Sequence, residues 1–324
     1  AVGATKTCYM DLSNIIGYSD DYVMSTKRHA MEHLAEVLRD RDWADLCLGV
    51  EMENYYYTAR AHAVLSTELN VQPADVTLMI NWCRSVKSDQ ELIYMNRAAR
   101  IVERMHERIY EVFEPGKRKN EVAAEIWHTA IWGAEEDGIQ FGGDYPALMP
   151  LLPTGNEAAA AHLTWNDKPV PYNSGTFFEV AGVHRRYHVP LCRTIWLGEP
   201  PNDIQRAEEV VLEGIDAGID AARVGNTAGD VARAFNSVLG KHGVERQGRC
   251  GYPIGMSYPP DWGERTFSIR PSDKTLFEEN MTFHFMPALW MPNWGLEITE
   301  TLRIREGGAA EPFANVERKL FVKN

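Results

Sequence analysis

A carboxylate in the middle of an apolar strand is the feature that most restricts how this chain can fold. The apolar segments 175–181 and 187–197 predict two strands, and Glu179 lies within the first of them. Phe178 and Val180 flank Glu179, so this strand is predicted to be buried. Because a buried carboxylate is costly unless it has partners or a function, we interpret Glu179 as a site residue.

The remaining segments alternate between amphipathic helices and short strands. Helices are predicted at 29–40, at 57–69, from Ser88 to Val112, from Asn120 to about Ile131, at Asp203–Ala222 and at Thr227–Leu239. Strands are predicted at Leu46–Val50, Val76–Ile80, Thr282–Met286, Leu296–Ile304 and Lys319–Val322. Paired helices separated by antiparallel strands indicate an α+β fold.

The composition argues against several classes of partner. The chain has 324 residues, 46 acidic against 33 basic, and a net charge of -13. Phosphate binding needs concentrated Lys and Arg, so we expect no nucleic-acid partner. No apolar run reaches the roughly 18 residues of a membrane span, and residues 1–9 lack the apolar core of a signal peptide. We therefore expect no membrane partner and a cytoplasmic location.

Five motifs follow one another in an order that is typical of a known family. They are Trp82-Cys83-Arg84-Ser85 leading into a capped helix, Gly155-Asn156 with His162, Tyr187 with Arg193-Thr194, Gly251-Tyr252-Pro253-Ile254-Gly255, and the segment from Gly295 to Gly308. Over residues 80–324 the chain resembles the creatinase/aminopeptidase family, which has the pita-bread fold. The resemblance implies a pita-bread catalytic domain at 85–324 and a smaller α/β N-terminal domain at 1–84 that begins partway through.

The resemblance also places this family's metal-ligand positions on changed residues. These positions hold Glu179, Pro190, Tyr252, Met286 and Thr299. Divalent cations in such sites need several oxygen and nitrogen donors at short range, and Pro and Met supply none. Only Glu179 could still ligate a metal, so we expect neither a metal nor another cofactor.

Strand geometry adds three candidates to the pocket. Residues two apart in a strand share a face, so His188, His284 and Glu297 are predicted to face the pocket beside the changed positions. His162 matches the family's substrate-positioning histidine. The predicted catalytic residues are Glu179, His162 and Glu297, and the predicted substrate-binding residues are His188, Tyr252, Tyr258, Trp262, His284 and Trp290. The aromatic members either pack in the core or form a box for a cationic ring.

Four longer sequence segments narrow the resemblance to one branch of the family. They are Thr-Phe-Phe-Glu-Val-Ala-Gly, Gly-Tyr-Pro-Ile-Gly, Ser-Tyr-Pro-Pro-Asp-Trp-Gly-Glu-Arg and Phe-His-Phe-Met. They are similar to a metal-free branch of the family that acts on ectoine. The resemblance implies that a homodimer opens this cyclic amidine to N-acetyl-2,4-diaminobutyrate during compatible-solute breakdown. A protonated amidine already carries positive charge on the attacked carbon, so carboxylates suit it better than metal ions.

In this hypothesis Glu179 is the nucleophile or the general base, Glu297 holds the amidinium N–H groups, and His162 or His284 delivers a proton. Two alternatives stay open at this point. One is a rebuilt single-metal site for another hydrolysis or a lyase reaction. The other is a catalytically inactive pita-bread domain that serves as a binding module.

Overall fold

A computed structural model describes residues 3–8, 10–246 and 248–324. The chain forms two compact units, Ala1–Ile80 and Asn81–Asn324. In the described residues, no helix combines the length and the apolarity needed to cross a bilayer.

The first unit is small and α/β. Its helices and strands are α1 (Ala4–Thr7), α2 (Ala30–Asp40), β1 (Gly49–Val50), α3 (Ala59–Leu69) and β2 (Ala74–Asp75), with short 3-10 turns at Leu12–Asn14 and Asp20–Tyr22. β1 and β2 pair in parallel. The helices predicted at 29–40 and 57–69 are confirmed, but the strand predicted at Val76–Ile80 is wrong. Asp75 Oδ1 accepts a hydrogen bond from the Thr77 backbone N–H at 2.9 Å, a turn that ends the strand, and α4 (Met79–Cys83) follows.

Four long helices belong to the second unit. They are α5 (Asp89–Val112), α6 (Lys119–Trp132), α7 (Asn202–Ala221) and α8 (Ala228–Lys241). The predicted capping box of α5 is confirmed, because Ser88 accepts from the Glu91 backbone N–H and Glu91 accepts from the Ser88 backbone N–H. Thr227 and Asp230 form the same arrangement at the start of α8.

The strands of the second unit form two larger sheets and two hairpins. They are β3 (Ala134–Glu136), β4 (Ile139–Phe141), β5 (Ser174–His184), β6 (Tyr187–Leu197), β7 (Gly251–Pro253), β8 (Thr282–Phe285), β9 (Ala288–Met291), β10 (Trp294–Glu297), β11 (Glu300–Arg303), β12 (Glu311–Pro312) and β13 (Phe321–Lys323). The larger sheets have the orders β13-β6-β5 and β12-β11-β8-β7, and the hairpins are β3-β4 and β9-β10. A 3-10 turn at Gly155–Ala159 contacts β10.

The β5-β6 hairpin is buried along its whole length. Its antiparallel register pairs Glu179 with Cys192 and Ala181 with Pro190. Helix α5 packs so closely against one face that a Cβ on Gly182 would overlap the carbonyl oxygen of Ala98. The opposite face, which carries Glu179, is left for the site.

The strand predicted at Leu296–Ile304 is in fact two strands with different partners. β10 pairs with β9, and β11 pairs with β8. Between them Thr299 turns to β6, where its backbone N–H donates to the Cys192 carbonyl at 3.1 Å. The buried Arg193 guanidinium donates to the Thr299 carbonyl at 2.7 Å and to Glu300 at 2.7 Å. These bonds fix the segment 297–301 against the site face of the hairpin.

Candidate active site

Two buried carboxyls lie at the centre of the candidate site. Glu179 is 3% exposed and Glu297 is 1% exposed. Burial raises the pKa of Glu179 to about 8, against the opposing charge of Arg249. Burial also raises the pKa of Glu297 well above its ordinary range, the neighbouring Glu179 raises it further, and Arg246 opposes both effects. The pair therefore holds protons that isolated glutamates would have lost at neutral pH.

The two carboxyls have few protein partners. Within the described residues, Oε2 of Glu297 is buried and has no hydrogen-bond partner. Oε1 of Glu179 lies 3.8 Å from Nδ1 of His284. Burial lowers the pKa of His284 to about 3, so the imidazole is neutral and this contact is not an ion pair. The arrangement leaves carboxyl oxygens available to a ligand that donates hydrogen bonds.

His284 is the middle of a hydrogen-bonded chain. Its Nδ1 lies 3.1 Å from the hydroxyl of Tyr252, and its Nε2 lies 2.7 Å from Oγ1 of Thr299. Trp262 Nε1 donates to the Tyr252 hydroxyl at 2.6 Å, and the Cys192 backbone N–H donates to Thr299 Oγ1 at 2.7 Å. Every link is buried or half-buried, so the imidazole is held in one orientation.

Two of the residues hydrogen-bonded to His284 stand at positions where the family resemblance would place metal ligands. Tyr252 and Thr299 both use their hydroxyls on His284, and burial raises the pKa of Tyr252 well above its ordinary range, so its phenol stays protonated. Pro190 and Met286 offer no donor to a hard cation. In the part of the chain that the structure describes, no three His, Cys, Asp or Glu side chains converge to hold a metal. These residues do not fit a two-metal centre.

A cavity of about 390 Å³ opens beside Tyr252 and Trp262. His162, Tyr252 and Trp262 contribute to its wall, together with Arg249. His162 is exposed and Trp262 is buried. The structure thus brings His162 to the same cavity as Tyr252, whose hydroxyl contacts His284.

Trp290 lies on β9, which pairs with the strand that ends at Glu297. It packs against the buried cluster of Ala158, Phe177 and Cys192, and its Nε1 is buried without a partner in the described residues. The guanidinium of Arg246 lies 5.1 Å from its ring centroid. The aromatic box for a cationic ring stays a prediction. Trp262 connects to Glu179 through Tyr252 and His284, and Trp290 contacts Arg246.

Two of the predicted binding residues have other contacts. His188 is fully buried, its Nδ1 donates to the Arg186 carbonyl at 2.9 Å, and its Nε2 accepts from the Ala147 backbone N–H at 3.0 Å. Both ring nitrogens are therefore used by the backbone. Tyr258 is half exposed and stacks on the Arg186 guanidinium at 4.7 Å. We leave both residues out of the proposed site.

Arg249 and Arg246 were missed by sequence reasoning. They lie on the segment that leads into β7, and no strand or helix period places them near Glu179. The one available signal was their position three and six residues before Tyr252.

Comparison with known proteins places the chain in a family. The model of metallopeptidase family M24 matches residues 94–306. Ectoine hydrolase of Halomonas elongata is 52% identical over 100% of this chain and 82% of its own length. An uncharacterised hydrolase/peptidase of Sinorhizobium fredii is 39% identical over 99% of this chain and 81% of its own length.

Solved structures confirm the predicted fold. Xaa-Pro dipeptidase from Bacillus anthracis superposes with a TM-score of 0.78 at 17% identity, over 92% of this chain and 80% of that one. The prolidase of Pyrococcus horikoshii superposes with a TM-score of 0.77 at 21% identity, with the same coverage of 92% and 80%. These likenesses concern the pita-bread fold alone. With the family model and the two sequence relatives, they establish that the chain belongs to metallopeptidase family M24.

Proposed function

We propose that this protein hydrolyses ectoine, opening its cyclic amidine ring to N-acetyl-2,4-diaminobutyrate without a metal ion. The observation that carries the proposal is the buried pair Glu179 and Glu297, which makes no ion pair with Lys or Arg among the described residues. The similarity to the Halomonas elongata ectoine hydrolase supports the choice of substrate. A homodimer, which the family resemblance implies, and a cytoplasmic location are also part of the proposal.

A cationic ring supplies the positive charge and the hydrogen-bond donors that the two carboxyls lack. A protonated cyclic amidine has a delocalised positive charge and two N–H donors in one plane. These donors suit the carboxyl oxygens, including the unpartnered Oε2 of Glu297. The indole of Trp290 offers a π face to the same cation. Binding would also lower the pKa of both carboxyls, because the positive charge favours their ionised forms.

Glu179 is then ionised beside the electrophilic carbon. Its carboxylate either bonds to the amidine carbon or takes a proton from a water that does so. In the covalent route the ring C–N bond breaks first, and water then attacks the same carbon and releases the Glu179 carboxylate. In the water route a C–O bond forms, and the electron pair of the C=N bond moves to the ring nitrogen. Glu179 holds the proton that the water released.

The ring nitrogen that leaves must gain a proton before the C–N bond breaks. His284 lies 3.8 Å from Glu179 and 3.1 Å from the Tyr252 hydroxyl, so this pair can pass a proton toward the cavity. The C–N electron pair goes to the departing nitrogen, and the remaining C–OH loses its proton to become the acetamide carbonyl. One amidinium and one water thus yield one amide and one ammonium group, so atoms and charge balance.

Ring opening of ectoine followed by ¹H NMR tests the proposal. The wild-type protein should convert ectoine, and Glu179→Ala should abolish turnover while its thermal melt stays cooperative. Glu209→Ala, which removes an exposed carboxyl on α7, serves as the control and should behave as wild type. Near-normal turnover by Glu179→Ala would overturn the role of Glu179. Binding of ectoine by the wild type without turnover would favour the binding module instead.

A further inference from the structure

The cavity beside Tyr252 contains an arginine that the reaction proposed above does not use. The Arg249 side chain lines this cavity and is exposed to it, and its guanidinium carbon lies 5.1 Å from the centroid of the Tyr252 ring. In the described part of the chain, no hydrogen bond or ion pair engages this guanidinium. Stacking on the phenol ring restrains its plane and leaves the N–H donors at its edge for a ligand.

Arg249 lies close to the reacting groups. The Tyr252 ring that it covers carries the hydroxyl 3.1 Å from His284, and His284 is 3.8 Å from Glu179. In agreement with this geometry, the charge of Arg249 lowers the pKa of Glu179 against the effect of burial. Arg249 in the cavity is thus linked to the carboxyl of Glu179 through Tyr252 and His284.

The other arginines near the cavity have interactions of their own. Arg265 lines the cavity and is engaged by other groups of the protein. Arg246 lies over Trp290, and its charge acts on Glu297. Arg270 lines the same cavity, but its Nε donates to the Ser268 hydroxyl at 2.9 Å. Asp261, which also lines the cavity, adds a negative charge that would not attract an anion.

We propose that Arg249 binds the carboxylate of the substrate and makes this enzyme specific for zwitterionic cyclic amidines. This inference rests on the function proposed above. The guanidinium fork matches a carboxylate in two parallel hydrogen bonds. In ectoine the carboxylate is attached to a ring carbon next to an amidine nitrogen, so a ligand whose amidinium meets Glu179 carries its carboxylate close by, on the same small ring. A cyclic amidine without a carboxylate would engage the glutamates but not Arg249.

The test compares two substrates, ectoine and 2-methyl-1,4,5,6-tetrahydropyrimidine, which is the same ring without the carboxylate. The ratio of their kcat/KM values cancels any effect of Arg249 on the ionisation of Glu179. We expect wild type to favour ectoine, and Arg249→Gln to reduce the ratio by about 10- to 100-fold, as loss of a charged hydrogen bond predicts. Arg249→Lys should lie between them, and Arg270→Gln should keep the wild-type ratio. An unchanged ratio in Arg249→Gln would overturn the inference.

Binding to Glu179→Gln, measured by calorimetry, separates this inference from the proposed function. Weaker binding of ectoine, but not of the carboxylate-free ring, on adding Arg249→Gln supports the inference even if the wild type does not turn ectoine over. If ectoine binds equally well with and without Arg249, the inference fails while turnover by the wild type still supports the function. If ectoine binds neither to the wild type nor to Glu179→Gln, both fail.

Discussion

Nε2 of His284 lies 2.7 Å from Oγ1 of Thr299, the residue at the last of the positions where relatives of this fold are expected to bind metal. Thr299 Oγ1 also accepts the Cys192 backbone N–H at 2.7 Å, so the hydroxyl joins the hairpin to the imidazole. A position that would hold a metal ligand instead orients the residue proposed to move a proton.

Replacing Thr299 by Val should therefore impair the reaction more than folding. We expect kcat to fall by roughly 10- to 100-fold, because the imidazole loses the partner that fixes it. Stability should fall by about 1–3 kcal/mol, since the Cys192 N–H is left unpaired. Thr299→Ser keeps the hydroxyl and should recover most of the rate in steady-state assays. An equal loss of rate in Thr299→Ser would contradict this account, because that variant keeps the hydroxyl.

The pH dependence of kcat/KM should report Glu179 in the free enzyme. Its pKa is raised to about 8, so the acid form dominates at pH 7 and cannot attack or accept a proton. Activity should therefore rise about tenfold per pH unit below this value and level off above pH 8. The corresponding limb of kcat should lie at lower pH, because the bound cation favours the ionised carboxylate. A limb near pH 4.5 in both profiles would contradict this assignment.

The same group should make folding stability depend on pH. A carboxyl whose folded-state pKa is raised above 4.5 stabilises the fold below that pH, and this contribution is lost as pH rises toward about 8. Glu179→Gln cannot titrate, so its stability relative to wild type should increase by on the order of 1–3 kcal/mol between pH 5 and pH 8. Urea unfolding at several pH values measures the difference. A constant difference across this range would mean that Glu179 titrates normally.

The packing of α5 on the hairpin predicts a cost for a single methyl group. A Cβ on Gly182 would overlap the Ala98 carbonyl oxygen, which belongs to a helix backbone and cannot move alone. Gly182→Ala should destabilise the protein by about 1–3 kcal/mol in denaturant unfolding. Gly240→Ala in α8, where nothing lies within 4 Å, is the control and should be neutral or slightly stabilising. A stable Gly182→Ala variant would show that α5 can shift.

Local sequence patterns predicted the helices well, because their signals are local. The Ser88–Glu91 capping box and the apolar face of α5 lie within a few turns of each other. The alternating apolar and polar residues of Leu296–Ile304 predicted one strand. This local pattern could not reveal that Thr299 leaves the strand to bind Cys192, which is distant in sequence.

The sequence predicted which side chains share a strand face with Glu179, but not which groups they hydrogen-bond to. Strand alternation placed Glu297 and His284 beside Glu179 from the positions of their neighbours. The same argument predicted that His188 faces the pocket. In the structure, backbone groups bond to both of its ring nitrogens. Pro190 lies in the part of β6 that pairs with β5 and is outside the pairing with β13, which covers Ile195–Leu197. Arg249 was not predicted because its loop has no periodicity.

The most direct test of the central claim is the rate of ectoine ring opening by protein whose metal content has been removed and measured. The protein is treated with a chelator, its metals are quantified by mass spectrometry, and conversion is followed by ¹H NMR. We predict the same rate before and after treatment, and no gain when zinc, manganese or cobalt is added. Loss of turnover on chelation, with recovery on adding one of these ions, would contradict the account.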